Sequence, residues 1–125
     1  TVYARDSIFS TQSQYNFSGN QGVWNSGGYN IFSDGSWPGA YATGDLYNTD
    51  PKLGILGNYG GPTLTHPLQP GSPAIDHRPG NCGSVFLPLF EDQRHFLRDD
   101  KKCDTGAFEH TGVFYVPLFL PVIFR

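Results

Sequence analysis

Methionine is absent from the 125 residues, and charge is scarce: Asp, Glu, Lys and Arg together make up 15 %. The formal net charge is −3, and the eight Lys and Arg form no basic stripe. Nucleic acid is held by clustered cations, and anionic membrane surfaces attract polybasic segments, so neither is an expected partner. No apolar stripe at 3.6-residue spacing is long enough for a stable helix. The four histidines show neither HxH nor HExxH spacing, no loop has EF-hand form, and no glycine-rich phosphate loop opens a helix. No metal or cofactor is expected. No serine sits in a G-x-S-x-G elbow. Residues 1–10 lack the charged-then-apolar order of a secretory leader, so an exported form would be a mature chain or a piece of a longer one.

What is present is glycine (16), proline (10) and aromatic residues (15 %). Short apolar runs broken by Gly, Pro, Asn and Ser predict an all-β chain rich in turns. "DSIFS" at 6–10 and "YNIFSD" at 29–34 set Ile8, Phe9 and Ser10 in register with Ile31, Phe32 and Ser33, an offset of 23 residues that suits a solenoid coil. Gly and Asn between them supply the positive-φ corners that a coil requires. Residues 50–76 hold enough Pro and Gly to break any long element. They read as extended chain carrying Leu53, Leu56, Leu64, Leu68 and Ile75 as apolar plugs. Two cysteines in a chain rich in Asn, Ser and Thr predict one disulfide between Cys82 and Cys103 in an oxidising compartment. The alternative is two buried thiols. Closing such a loop contributes on the order of 3 kcal/mol.

The strings "NTDPKLGILGNYGGPTLTHPLQPGSPAID", "EDQRHFLR" and "CDTGAFE", in that order, resemble the C-terminal region of bacterial choice-of-anchor Q domain proteins. The resemblance covers roughly residues 5 to 109. It implies a secreted, surface-displayed, pectate-lyase-like right-handed parallel β-helix and no particular reaction. The chain departs from that pattern at His77 and Arg78, at His95 and at Thr105. Combined with the turn pattern, the expected fold is a short right-handed parallel β-helix over 1–49, a Pro/Gly-rich C-terminal cap with a disulfide loop over 50–111, and an apolar C-terminal strand over 112–125. A solenoid end exposes an apolar bore and unpaired backbone, which a cap must cover.

An enzyme reading would pair the carboxylates of Asp92 and Asp104 and use Arg94 to bind an acidic sugar. The alternative, preferred here, makes Asp76, Asp92, Arg94 and Asp104 structural ion pairs of the cap, with Arg94 bound to Asp76 or Asp104. Trp24, Trp37 and Tyr41 are candidate glycan contacts, or packing residues. Asn16 begins an N-x-S sequon.

Residues 113–124 carry no charge. They fall short of the roughly 20 residues that cross a bilayer, and Pro117 and Pro121 would break a helix. As a strand, Phe114, Val116, Leu118, Leu120, Val122 and Phe124 share one apolar face. Both prolines fall on the other parity, so both missing N–H groups lie on one edge, and only the opposite edge can form a ladder. The strand could fold back on its own chain, join a second copy, or serve as an anchor signal. The expected function is a non-catalytic extracellular or cell-surface subunit that self-associates through β-strand contacts into a fibre or surface layer. Its expected partners are itself, cell-surface components or glycans. The alternative is a carbohydrate-binding or polysaccharide-degrading module.

Overall fold

The computed structural model describes residues 1–19, 21–80, 83–84, 87–88, 90–98, 102–111 and 113–114. Among them it forms strands and no helix. β1 (Val2–Ala4) pairs in parallel with β3 (Trp24–Ser26), and β2 (Ile8–Phe9) in parallel with β4 (Ile31–Phe32). The Ile-Phe repeat therefore pairs with itself, Ile8 opposite Ile31 and Phe9 opposite Phe32. Parallel bridges from Asn25 to Ala40 and from Ile31 to Leu46 add a third layer of chain. Later come β5 (Arg78–Pro79) with β9 (Lys102–Cys103), β6 (Gly83–Ser84) with β7 (Leu87–Pro88), and β8 (Phe96–Leu97) with β10 (Val113–Phe114), all antiparallel.

The expected closed parallel β-helix is not what the chain forms. The ten strands among the described residues are two or three residues long, they pair in five separate two-stranded sheets, and three of those sheets are antiparallel. Glycines and left-handed residues recur every few positions, and such corners break the extended backbone that a long ladder requires. Only the all-β character of the expectation survives.

Because successive strand residues point to opposite faces, Ile8 and Ile31 enter one apolar cluster while Phe9 and Phe32 enter another. The first holds Ile31, Leu68, Ala74 and Phe108, with Ile8, Leu46, Leu53 and Ile75 packed on it. The second holds Ala4, Phe32 and Trp37, with Phe9, Phe17 and Trp24. Of the expected plugs, Leu53, Leu68 and Ile75 join the first cluster, whereas Leu56 and Leu64 are exposed. An antiparallel bridge between Leu53 and Leu68 holds the Pro/Gly-rich segment in place.

One polar ladder fixes the corner between these layers. Asp6, Tyr29 and Gly44 all have positive φ (49°, 57° and 78°), and each precedes an inward-running residue of its layer. A Cβ at Gly44 would collide with the Tyr29 ring, so the third corner requires glycine. The residue after each corner serves the layer above: Asn30 Oδ1 accepts the Ser7 N–H at 3.0 Å, and Asp45 Oδ1 accepts the Asn30 N–H at 2.9 Å. Asn30 is fully buried, and its Nδ2 donates to Ala4 O, Ser26 Oγ and Asp45 Oδ1. Replacing it with Ala strands these groups without solvent. Asn30→Ala should destabilise the fold by about 3 kcal/mol or more, read as a lowered urea midpoint in equilibrium unfolding.

Candidate functional site

The charged residues of the last third meet in a buried cluster. Asp92 lies in the turn that precedes β8, and its carboxylate is closed to solvent. Oδ2 accepts from Arg94 Nη2 at 2.6 Å, Arg94 Nε at 2.9 Å and the Glu109 N–H at 2.9 Å. Oδ1 accepts the backbone N–H groups of Arg94 and Phe96. This is an Asx turn whose Oδ1 takes two local backbone donors, while Oδ2 holds the Arg94 side chain and clamps the distant chain at Glu109. The Arg94 guanidinium lies between the rings of Phe108 (3.6 Å) and Phe96 (4.1 Å), and it also donates to Glu109 O and Tyr59 O. Stacking on two aromatic faces suits the planar, weakly hydrated guanidinium and would not suit lysine.

A second arginine extends the cluster. Arg98 donates to Glu109 Oε2 at 2.8 Å, to Asp104 O and to Gly106 O. The Asp104 carboxylate accepts the backbone N–H groups of Asp76 and His110. Asp76 itself stands at a left-handed corner (φ 54°) with its side chain exposed, and it contributes through its backbone. Arg94 thus binds Asp92, two residues away, rather than Asp76 or Asp104. The ion pairs of Arg98 with Glu109 and of Arg78 with Asp6 (2.9 Å) lay beyond sequence reasoning. Arg5, Asp6, Arg78, Arg98 and Asp104 border a cavity of about 220 Å³. Burial pushes the Asp6 carboxyl up, against the opposing pull of Arg78 and Arg5.

The residues that depart from the resembled pattern tie this region to the N-terminal corner. Thr105 Oγ1 donates to Tyr29 O, and His77 Nδ1 lies 3.1 Å from the same hydroxyl. His77 also packs its ring edge-on to Tyr29. Burial holds the His77 imidazole below its ordinary range, partly offset by a hydrogen bond that the ring donates to the Gly44 backbone and by the charges of Asp45 and Asp6.

Chemically, the carboxylates of Asp92 and Asp104 act as acceptors for backbone donors, which orders loops. A general acid or base must instead reach a substrate proton. Trp24 and Trp37 belong to a cluster of rings 5 to 6 Å apart with Phe9, Phe17 and Phe32, and Trp37 is buried. Of the three candidate glycan contacts, Tyr41 is exposed; it stacks on the exposed ring of Tyr47 at 4.8 Å. Asn16 Nδ2, the atom a glycan would occupy, donates to Phe9 O, Ser33 Oγ and Asp34 Oδ1. Cys103 is buried and disulfide-bonded, while Cys82 lies outside the described residues. So do Val116, Leu118, Leu120, Val122 and Phe124; Phe114 is described through its backbone, which pairs with Phe96 of the same chain.

Among the described residues, no group of three or more His, Cys, Asp or Glu is placed to hold a metal ion, and no helix is long and apolar enough to cross a membrane. Comparison with family models, curated proteins and solved structures finds no match.

Two outcomes follow from this geometry. Arg94→Met leaves Asp92 buried without its counter-charge and should cost about 3–5 kcal/mol in urea unfolding. Arg94→Lys should recover little of it, because an ammonium cannot chelate one carboxylate while stacking between two rings. The second outcome concerns pH. The native state holds His77 neutral, while the unfolded chain takes up a proton near its ordinary value of about 6.5. Stability from this group is present above that value and is lost as pH falls through the lower native one. The melting temperature should therefore fall between neutral and mildly acidic pH, and His77→Gln should flatten that limb of the profile.

Proposed function

We propose that the protein is a non-catalytic structural subunit of an extracellular or cell-surface assembly, and that copies associate through the outer edge of β1. The carrying observation is the direction of the β1 backbone. Val2 N–H and Ala4 C=O bond to the β3 side. In a parallel ladder successive residues alternate between edges, so the peptide groups of Tyr3 face the other way. The Tyr3 side chain is 67 % exposed, and Val2, Tyr15 and Val23 are exposed as well. Among the described residues no strand pairs with this edge, and a strand edge set among apolar side chains is a template for strand addition. The opposite side of the same layers carries the Ala40 bridge beneath exposed Tyr41. An edge of one copy that meets the opposite side of the next makes a head-to-tail contact, and such contacts build fibres unless they close into a ring.

Two further observations support a structural role. The carboxylates of Asp92 and Asp104 take backbone donors, and a disulfide at Cys103 suits an oxidising compartment.

The substitution Tyr3→Pro tests the reading. Tyr3 N–H lies outside the β3 ladder, so proline removes an edge donor and spares the fold. The unmodified chain should form higher-order species in light scattering and regular filaments or rings under the electron microscope. Tyr3→Pro should remain small with an unchanged melting temperature. An unmodified chain that stays monomeric would sink the proposal.

A further inference from the structure

Oxidants have few easy targets in this chain. Thiols and thioethers are the side chains they reach first. Methionine is absent, and among the described residues no cysteine is free. The electron-rich groups that remain are indoles and phenols. Trp24 and Trp37 stand 5.4 Å apart in the second apolar cluster. From there rings lead outward in contact: Trp37 to Phe32 at 5.1 Å, Phe32 to Tyr41 at 5.7 Å, and Tyr41 to Tyr47 at 4.8 Å. Trp37 and Phe32 are buried, whereas Tyr41 is 40 % and Tyr47 55 % exposed. The two phenol rings lie within 30° of parallel. Among the described residues, no other two tyrosine rings touch.

The third layer of chain holds this pair in place. Tyr41 follows Ala40, which is bridged to Asn25, and Tyr47 follows Leu46, which is bridged to Ile31. Between them the chain turns at left-handed Gly44, and Asp45 N–H donates to Ala42 O. Both rings are therefore presented side by side from a fixed backbone, and that proximity replaces a chance encounter.

We infer that Tyr41 and Tyr47 are a modification site, which one-electron oxidation joins, ring carbon to ring carbon, as an intrachain dityrosine. The reagent class is peroxide acting through a one-electron catalyst such as a haem peroxidase. Each phenol gives up one electron and its hydroxyl proton and becomes a neutral tyrosyl radical. Burial, with Asp34, Tyr47 and Asp45 nearby, pushes the Tyr41 phenol up, so its proton leaves together with the electron. The two radicals pair their electrons in one C–C bond between carbons ortho to the oxygens. The hydrogens on those carbons then pass to the phenolic oxygens, which restores both rings. Two electrons and two protons leave in all, and one hydrogen peroxide takes them up to become two waters. The ring chain also drains the core. A phenol that sheds its proton is oxidised more easily than an indole, so an electron lost from Trp37 is replaced from Tyr41 across the single ring of Phe32. This inference does not rest on the assembly reading, because both tyrosines belong to one copy.

The test is oxidation of the dilute full chain with a peroxidase and limiting peroxide. Dityrosine fluorescence should appear while the chain stays monomeric on a denaturing gel. Cleavage before aspartate places Tyr41 in residues 34–44 and Tyr47 in residues 45–49. These two peptides should emerge joined, two hydrogen masses below their sum. Tyr41→Phe and Tyr47→Phe keep the stacked rings, and each should abolish the joined peptides with an unchanged melting temperature. Tyr15→Phe, at an exposed tyrosine outside the stack, should leave their yield as it was. The double variant Tyr41→Phe with Tyr47→Phe should accumulate oxidised tryptophan instead, because the outlet is gone. Joined peptides spread evenly over all exposed tyrosines would overturn the inference. So would covalent dimers as the main product, or oxidised tryptophan beside an intact tyrosine pair in the unsubstituted chain.

Discussion

The corner ladder of Ser7, Asn30 and Asp45 is the constraint on which the N-terminal layers depend. Strands of two or three residues cannot satisfy much backbone by themselves, and a buried N–H without a partner costs as much as a lost hydrogen bond. Here each layer lends a side-chain oxygen to the N–H of the layer before it. Asp6, Tyr29 and Gly44 turn the chain into the left-handed region just before those residues. Register follows from this arrangement. If the corner is stacked, Ile8 must lie over Ile31 and Phe9 over Phe32, and both apolar clusters are then filled by the alternation of a single strand pair.

The arginine cluster repeats the same solution by other means. Asp92 and Asp104 take backbone N–H groups from loops, and Arg94 and Arg98 take backbone carbonyls. The charges neutralise one another, and their remaining hydrogen-bonding capacity replaces the ladders that the glycines and prolines break. Gly106 N–H to Asp6 O and Thr105 Oγ1 to Tyr29 O then fasten this unit to the N-terminal corner. The two halves are therefore bound through polar contacts at the corner and through apolar packing of Leu68 and Phe108 on Ile31.

How much of this was legible in the sequence depended on distance along the chain. The Ile-Phe-Ser repeat announced its own pairing, because parallel partners in register present like residues on like faces. The inference from that repeat to a closed β-helix failed. Pairing of one short segment carries no information about whether later segments continue the stack, and here they turn antiparallel. Arg94 was read as a cap residue but given the wrong partner. Asp92 was close enough for an Asx turn to deliver it, whereas Asp76 offers only its backbone. The pairs of Arg98 with Glu109 and of Arg78 with Asp6 bring together residues with no sequence relation, and a buried arginine looks like a solvated one until its surroundings are known. Trp24 and Trp37 illustrate the same blindness for rings, since an aromatic side chain serves a sugar or a core equally well by composition.

The spacing along the corner ladder is unequal: Ser7 and Asn30 are 23 residues apart, Asn30 and Asp45 only 15. The surplus is carried by the stretch between β2 and β3, whose residues 11–15 are exposed. The hydrogen bonds of Asn16 anchor that stretch just beyond its tip. Closing a longer loop costs little once its ends are fixed. Lineages of this chain are thus free to lengthen or replace the tip without moving the corner, and an engineer could graft a foreign peptide there for display.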